Sequence, residues 1–134
     1  MSLDRRMQRD VLICDDDKDI CEILKEYCTN MGCFKNIIIA NDGIMATQKL
    51  RNQKFALILL DINMPKKTGI DLIGEFVPGA LNVKESILIV SGTLDKDLIA
   101  RIIQSKVNSF LVKPFDETQF QEKVLKILAT PKGA

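Results

Sequence analysis

The sequence predicts an α/β protein with a doubly wound, five-stranded parallel sheet and helices on both faces. Five short apolar runs occur along the 134-residue chain, and each is followed by a segment whose apolar residues recur at helical spacing. The central runs are apolar at every position, which is typical of parallel strands buried on both sides. Strand–helix alternation of this kind predicts one parallel sheet joined by right-handed crossovers.

The first strand is predicted at residues 11–14, a short apolar run. The helix that follows is expected to continue to about Met31, where Gly32 can stop it. Three consecutive aspartates separate the strand from this helix, and the last of them can cap it. The apolar residues of the helix recur at helical spacing: Ile20, Ile23, Leu24 and Tyr27.

A second strand is predicted at residues 34–40, because this stretch contains three consecutive isoleucines. Residues 41–43, Asn-Asp-Gly, combine turn chemistry with an aspartate able to cap a helix. The second helix is expected to follow and to end at about Asn52.

The third strand, residues 56–60, is an unbroken apolar run that ends in Asp61. Met64-Pro65 then interrupts the regular backbone, since proline lacks an N–H and restrains the residue before it. Gly69 permits a tight turn. A third helix is predicted at 68–77, where the next Pro-Gly pair breaks it.

The last two strand–helix pairs follow the same pattern. A strand at 87–90 leads to a helix at 95–106, and a strand at 109–112 leads to a final helix. The apolar stripe of the helix at 95–106 consists of Leu98, Ile99, Ile102 and Ile103. Asp116 is positioned to cap that helix, and Thr130-Pro131 is expected to end it.

Length and composition limit the range of functions that the chain could have. The chain fits one domain, expected at residues 10–129, with flexible ends at 1–9 and 130–134. The net charge is only +1, tryptophan is absent and aromatic residues make up 5%, so no direct contact with nucleic acid is expected. The chain has no histidine, which excludes histidine metal sites, histidine general bases and Ser-His-Asp triads.

The four cysteines have no metal-ligand spacing and no histidine to complete a zinc site. We interpret all four as small buried hydrophobic residues in a reducing cytoplasm: Cys14, Cys21, Cys28 and Cys33. The apolar runs are far shorter than the ~20 residues that a membrane span needs, and no signal peptide is visible. We therefore expect a cytoplasmic protein without a membrane partner.

Polar residues stand where four of the predicted strands end. Asp15 and Asp16 follow the first strand, Asp61 the third, Ser91 the fourth and Lys113 the fifth. The carboxyl ends of parallel strands share one edge of the sheet, which is where open α/β sheets bind ligands. Each residue alone is a weak signal, since an aspartate often only caps a helix. Their joint placement predicts one site.

Clustered carboxylates favour a hard divalent cation with oxygen ligands, Mg²⁺ or Mn²⁺. Lys113 supplies a compact positive charge for an anion, and Ser91 a hydroxyl. Together with a carboxylate nucleophile, these groups suit phosphoryl transfer, which works by positioning and electrostatics. We therefore expect a catalytic set of Asp61, Lys113 and Ser91, with Asp61 forming an aspartyl phosphate.

From about residue 10 to residue 129, the sequence resembles a response-regulator receiver domain, of the kind typified by single-domain chemotaxis regulators. The resemblance implies a flavodoxin-like (βα)5 fold with strand order 2-1-3-4-5. It rests on four motifs found together at the strand ends: Asp15-Asp16, Leu60-Asp61-Ile62-Asn63-Met64-Pro65, Ser91-Gly92 and Lys113-Pro114-Phe115.

The resemblance also implies roles for individual residues. Asp61 would be the phospho-acceptor, Asp16 a direct Mg²⁺ ligand and Asp15 a ligand largely through water. The backbone carbonyl of Asn63 would be a further ligand. Lys113 would contact the phosphate.

The resemblance implies a switch as well. Ser91 would provide the switch hydroxyl, next to Gly92 in the loop that contacts the phosphate. Many receivers carry tyrosine three residues before the lysine, but this chain has Phe110, which has no hydroxyl. Two alternatives stay open: the Phe110 ring rotates inward on phosphorylation, or it fills core in both states.

The implied function is that of a signalling module rather than an enzyme acting on a separate substrate. A sensor histidine kinase or a histidine phosphotransfer protein would donate the phosphoryl group. The surface of the fourth helix, fifth strand and fifth helix would then control a downstream protein or an output domain. The protein would be a monomer or a weak, phosphorylation-dependent dimer.

Two other functions are considered. A small Mg²⁺-dependent phosphatase would also use an aspartate nucleophile, but such enzymes carry Asp-x-Asp, and the second position here is Asn63. A pseudo-receiver would bind partners without phosphorylation, but the acids, Ser91 and Lys113 are all present.

Overall fold

The computed structural model of the protein describes residues 9–92 and 95–130, in which five strands alternate with five helices. The strands are β1 (Arg9–Cys14), β2 (Phe34–Ala40), β3 (Leu57–Leu60), β4 (Ile87–Ser91) and β5 (Phe110–Val112). The helices are α1 (Lys18–Met31), α2 (Gly43–Asn52), α3 (Gly69–Ile73), α4 (Lys96–Gln104) and α5 (Glu117–Ala129). A short 3-10 turn precedes β4 (Lys84–Ser86).

The five strands form one parallel sheet in the order β2-β1-β3-β4-β5, which confirms the predicted fold. In the register of the three neighbouring strands, Cys14 pairs with both Ala40 and Leu60. The residues that follow these three therefore emerge at the same edge of the sheet. This register brings Asp15 and Asp61 side by side.

Alternation along the strands divides the core into two layers. The layer under α2, α3 and α4 contains Leu12, Ile58, Leu60 and Ile89. The layer under α1 and α5 contains Val11, Ile13, Leu59 and Val90. Both faces of the sheet are thus covered, as the apolar strands predicted.

Aspartates begin the helices on both faces, as the sequence indicated. Asp17 accepts hydrogen bonds from the N–H groups of the first turn of α1. Asp42 caps α2 and Asp116 caps α5. Gly32 ends α1 with a φ of 67°, a left-handed conformation that glycine adopts at little cost.

Three predictions need correction. The third helix is much shorter than 68–77: it ends at Ile73, and the N–H groups of Glu75 and Phe76 bond to carbonyls three residues back, which tightens the chain before Pro78. Cys33 is only half-buried, because it lies in the turn that enters the edge strand β2. The apolar stripe of α4 is wider than the core it covers, so Ile103 is 55% exposed.

Other expectations fall partly outside the described residues. The ends expected to be flexible include 1–8 and 131–134, which are not described, whereas Arg9 is already part of β1. Pro131, expected to help end α5, also lies outside, and Thr130 is the residue that caps the helix. Within the described ranges, no helix has the length and apolar character needed to cross a bilayer.

Candidate functional site

Asp15 is fixed by its backbone at the carboxyl end of β1. Its N–H donates to the Ala40 carbonyl at 3.1 Å, and its own carbonyl accepts from Asn41 Nδ2 at 3.2 Å and Cys21 Sγ at 3.3 Å. The Asp15 side chain is buried, and its Oδ1 accepts the Asp17 N–H at 2.9 Å. A buried carboxylate needs such partners, because losing water without them is costly.

Asp61 lies beside it at the end of β3. Its N–H donates to the Cys14 carbonyl at 2.9 Å, and its Oδ1 accepts the N–H of Asn63 at 3.3 Å. A Cβ on Gly69 would come within 2.7 Å of the Asp61 carbonyl oxygen and 2.8 Å of the Ile62 Cα. The loop after β3 can therefore fold back on itself only because residue 69 is glycine.

Lys113 reaches the two acids from β5. Its Nζ lies 3.0 Å from Asp15 Oδ2 and 4.0 Å from Asp61 Oδ2, and its side chain is 20% exposed. Its backbone N–H donates to the Ser91 carbonyl at 3.0 Å, which joins the ends of β4 and β5. The ammonium is therefore held within reach of both buried carboxylates.

The third acid, Asp16, is exposed on the rim. One carboxylate oxygen from each of Asp15, Asp16 and Asp61 lies within 4.8 Å of the other two. Lys113 balances only one of these three negative charges. Oxygen donors with two uncompensated charges fit a hard divalent cation such as Mg²⁺, so the residues present suit the ion that the sequence implies.

The pKa of the Asp61 carboxyl is raised above its ordinary value, chiefly because burial disfavours the charged form. Repulsion from Asp15 raises it further, while Lys113 and the N–H of Asn63 lower it. The ionised form of the Asp61 carboxyl is therefore disfavoured, and a bound cation would stabilise it.

The other predicted residues lie at the same edge or just below it. Ser91 is fully buried at the end of β4, and Gly92 follows it. A Cβ on Gly92 would meet the Lys113 side chain at an ordinary 3.9 Å, so sterics do not require glycine there. Phe110 pairs with Ile89 lower in the sheet, is half-buried, and lies under Lys123 Nζ, 5.9 Å from the ring centroid.

Two contributors were not anticipated. Asn41 and Cys21 both donate to the carbonyl of Asp15 and so hold the strand end in place. Asn41 follows β2 directly, so the strand-end rule that identified the acids would have identified it too. The sequence predicts only a turn role for Asn41 and a core role for Cys21.

Three clustered carboxylates beside a lysine, at the carboxyl edge of a five-stranded parallel sheet, could hold a divalent cation and an anionic group. Residues 11–125 match the family model described as the response regulator receiver domain. The chain belongs to this family. It is a receiver domain of two-component response regulators, which work with histidine kinases and bind Mg²⁺ in their active site.

Similar proteins agree with this assignment. The chemotaxis protein CheY of Pseudomonas aeruginosa is 32% identical over 92% of this chain and 98% of its own length. An uncharacterized response regulatory protein of Staphylococcus epidermidis is 34% identical over 88% of this chain. The chain spans only 45% of that relative, so receivers like this one occur both as whole proteins and as parts of longer ones.

Among solved structures, the receiver domain of the sensor histidine kinase PA1611 from Pseudomonas aeruginosa superposes with a TM-score of 0.78. The match covers 91% of this chain and 98% of that one, at 18% identity, and shows the shared fold. That protein has a magnesium ion coordinated in its active-site cleft.

Proposed function

We propose that Asp61 is the residue that accepts a phosphoryl group from the phosphohistidine of a sensor kinase or of a histidine phosphotransfer protein. The observation that carries this proposal is the buried Asp61 carboxylate, within 4.8 Å of two further acids and 4.0 Å from Lys113. Asp61 follows β3, the central strand, and so lies at the carboxyl edge of the sheet between the ends of β1 and β4.

The transfer needs little covalent chemistry from the protein. A carboxylate oxygen of Asp61 attacks phosphorus, the phosphorus–nitrogen bond of the donor breaks, and the electron pair leaves with the imidazole. Lys113 stabilises the negative charge on the phosphoryl oxygens. We propose that the protein promotes its own phosphorylation and dephosphorylation and acts on no separate substrate.

We propose that Mg²⁺, or Mn²⁺ in its place, is held by the carboxylates of Asp15, Asp16 and Asp61 and by the backbone carbonyl of Asn63. The bound ion supplies positive charge to the carboxylates and to the phosphoryl oxygens. The residues themselves orient the acceptor: the N–H of Asn63 and the Lys113 ammonium both face Asp61.

The signal would leave the site through β4 and β5. A phosphoryl group adds a charge of about −1.5 to −2 and strong acceptor oxygens, which attract the Ser91 hydroxyl and Lys113 and reshape the loop at Gly92. The hydrogen bond from the Lys113 N–H to the Ser91 carbonyl connects this loop to β5, where Phe110 is half-buried. The proposed output surface is that of α4, β5 and α5, which carries the exposed side chains of Ile103 and Val112.

The remaining assignments follow the same proposal. We expect the chain to bind a downstream protein or an output domain, and to be a monomer or a weak dimer formed on phosphorylation. The buried thiols of Cys14, Cys21 and Cys28 suit a reducing compartment, which supports a cytoplasmic location. Family membership favours this function over the phosphatase, and Asn63 stands where the phosphatase needs a carboxylate. The acids, Ser91 and Lys113 are all present, which favours it over the pseudo-receiver.

Intact-protein mass spectrometry tests the proposal. Acetyl phosphate with Mg²⁺ should add one phosphoryl group to the wild-type chain and none to Asp61→Asn. Equal labelling of the two proteins would place the acceptor elsewhere. No labelling of the wild type by acetyl phosphate or by a phosphohistidine donor would support the pseudo-receiver instead.

A further inference from the structure

The loop between β3 and α3, residues 61–68, carries both Asp61 and Asn63 without regular structure. Its first half is fixed by burial, since Ile62 and Met64 are each 4% exposed. Its second half has no such anchor and turns at Lys66, which adopts a left-handed φ of 68°. The contacts of the two lysines in this half, Lys66 and Lys67, therefore help to set its position.

Lys67 joins a closed set of polar contacts with two other segments. Its ammonium forms an ion pair with the Glu75 carboxylate and donates to Thr47 Oγ1 at 3.1 Å. Thr47 Oγ1 in turn donates to Glu75 Oε1 at 3.2 Å. Thr47 belongs to α2 and Glu75 follows α3, so the contacts connect the loop to both helices.

These contacts are partly shielded from water. Thr47 is only 7% exposed, and the side chains of Lys67 and Glu75 are 25% and 28% exposed. Partial burial and three mutual contacts make such a network stronger than a surface ion pair.

The neighbouring lysine provides the contrast. Lys66 Nζ lies 3.4 Å from Asp42 Oδ2, but its side chain is 64% exposed. Exposed pairs of this kind contribute little, because water screens them and the long side chain loses freedom on pairing. Two adjacent lysines on one loop therefore differ mainly in burial and in the number of partners.

The backbone of the loop also packs tightly against α2. A Cβ on Gly43 would lie 2.1 Å from the Lys67 carbonyl oxygen, and the Gly43 N–H donates to the Pro65 carbonyl at 3.4 Å. Gly43 and Thr47 are four residues apart and share a face of α2. One face of α2 thus contacts both the backbone and the side chain of Lys67.

We propose that Lys67, Thr47 and Glu75 are positioning residues that hold the loop so that Asp61 and the Asn63 backbone present their oxygens together. This inference rests on the proposed metal site at those residues. None of the three contacts Asp15, Asp16 or Asp61. They therefore act through the loop rather than on the phosphoryl group. Losing the network should leave the fold intact but loosen the geometry of the oxygen ligands.

Direct binding of Mn²⁺ tests the inference without any phosphorylation. The electron paramagnetic resonance signal of the free ion measures how much Mn²⁺ remains unbound. Lys67→Met should weaken Mn²⁺ binding about three- to tenfold, below the 10- to 100-fold typical for residues that bond metal ligands directly. Lys66→Met is the matched control and should bind within about twofold of wild type. Lys67→Arg should recover most of the affinity.

Two further variants keep the test decisive if Lys67→Met folds poorly. Thr47→Val removes only the hydroxyl and should weaken binding about two- to threefold. The double exchange Lys67→Glu with Glu75→Lys should bind better than either single change, because it restores the ion pair. Melting curves without metal separate these effects from loss of fold.

The outcomes are distinct. If wild type binds Mn²⁺ and the Lys67→Met and Thr47→Val variants bind it equally well, the positioning role is wrong and the proposed function stands. Equal weakening by Lys66→Met and Lys67→Met would also overturn it, because the buried contacts of Lys67 would then matter no more than the exposed pair of Lys66. If wild type itself binds no Mn²⁺, the proposed metal site fails, and this inference fails with it.

Discussion

Helices α1 and α4 lie on opposite faces of the same sheet, and they are anchored to it to very different degrees. α1 buries Cys21, Leu24 and Cys28 almost completely. Across its 9 residues, α4 buries only Ile102, while Ile103 is 55% exposed. Local stability follows buried apolar contact, so α4 should open or shift at a lower free energy than α1.

The aromatic side chains follow the same division. Tyr27 of α1 packs against Phe115 and Phe120, with ring centroids 6.3 and 5.6 Å apart. On the other side, Phe110 is half-buried, and its ring centroid lies 5.9 Å from Lys123 Nζ. We therefore expect the α1 side to stay in place and the α4 side to shift when the site is phosphorylated.

The largest expected contrast is in stability. Leu24→Ala should lower the free energy of unfolding by about 2–5 kcal/mol, because it leaves a cavity under α1. Ile103→Ala on α4 should change it by less than about 0.5 kcal/mol, since the side chain is mostly exposed. Urea unfolding followed by circular dichroism measures both. Similar losses for the two variants would break the contrast between the helices.

A smaller effect is expected at Asp61. Because the folded-state pKa of its carboxyl is raised above 3.8, its contribution to stability is complete below pH 3.8 and is lost as pH rises through the folded-state pKa. In metal-free buffer, Asp61→Asn should therefore melt higher than wild type at pH 7, on the order of a few degrees. The difference in melting temperature between the two proteins should shrink towards pH 4.

Magnesium provides the control for this prediction. Millimolar Mg²⁺ should raise the melting temperature of wild type, because it binds the folded state and relieves repulsion among the acids. The gap to Asp61→Asn should then narrow, and Asp16→Ala should lose most of the effect of Mg²⁺. If the melting temperature of wild type changes with neither pH nor Mg²⁺, repulsion among the clustered acids does not affect stability and this prediction is wrong.

A third prediction concerns Phe110 on the responsive side. Phe110→Ala should leave the rate of Asp61 labelling by acetyl phosphate within about twofold, since the ring lies below the site. It should weaken the transmission of phosphorylation to α4, where coupling energies are typically ~1–3 kcal/mol. Methyl signals of Ile102 and Ile103 in NMR spectra report that transmission. An unchanged response would mean that Phe110 only fills core, and that coupling runs through the Ser91 loop and α4.

The sequence predicted the fold well where each strand is an uninterrupted apolar run. β2 was found at its predicted residues, and the other strands differ by one or two residues at an end. The third helix was predicted too long, because apolar spacing up to Phe76 continues although the hydrogen bonding changes after Ile73. Burial on α4 was overestimated, since periodicity shows which face is apolar but not how much core it meets.

The site was predicted to the extent that its residues stand at strand ends. Asp15, Asp16, Asp61 and Lys113 were expected together, and the structure places them within a few ångströms of one another. The contacts of Lys67 with Thr47 and Glu75 could not be predicted, because they join segments that are distant in sequence and belong to no motif.

Hydrogen exchange of the two helices, measured with and without acetyl phosphate and Mg²⁺, tests the central claim most directly. We expect phosphorylation to change exchange in α4 and β5 of the wild-type chain and to leave α1 unchanged. Asp61→Asn should show no change in either region. Equal changes in α1 and α4, or a change in α4 that persists in Asp61→Asn, would contradict the account.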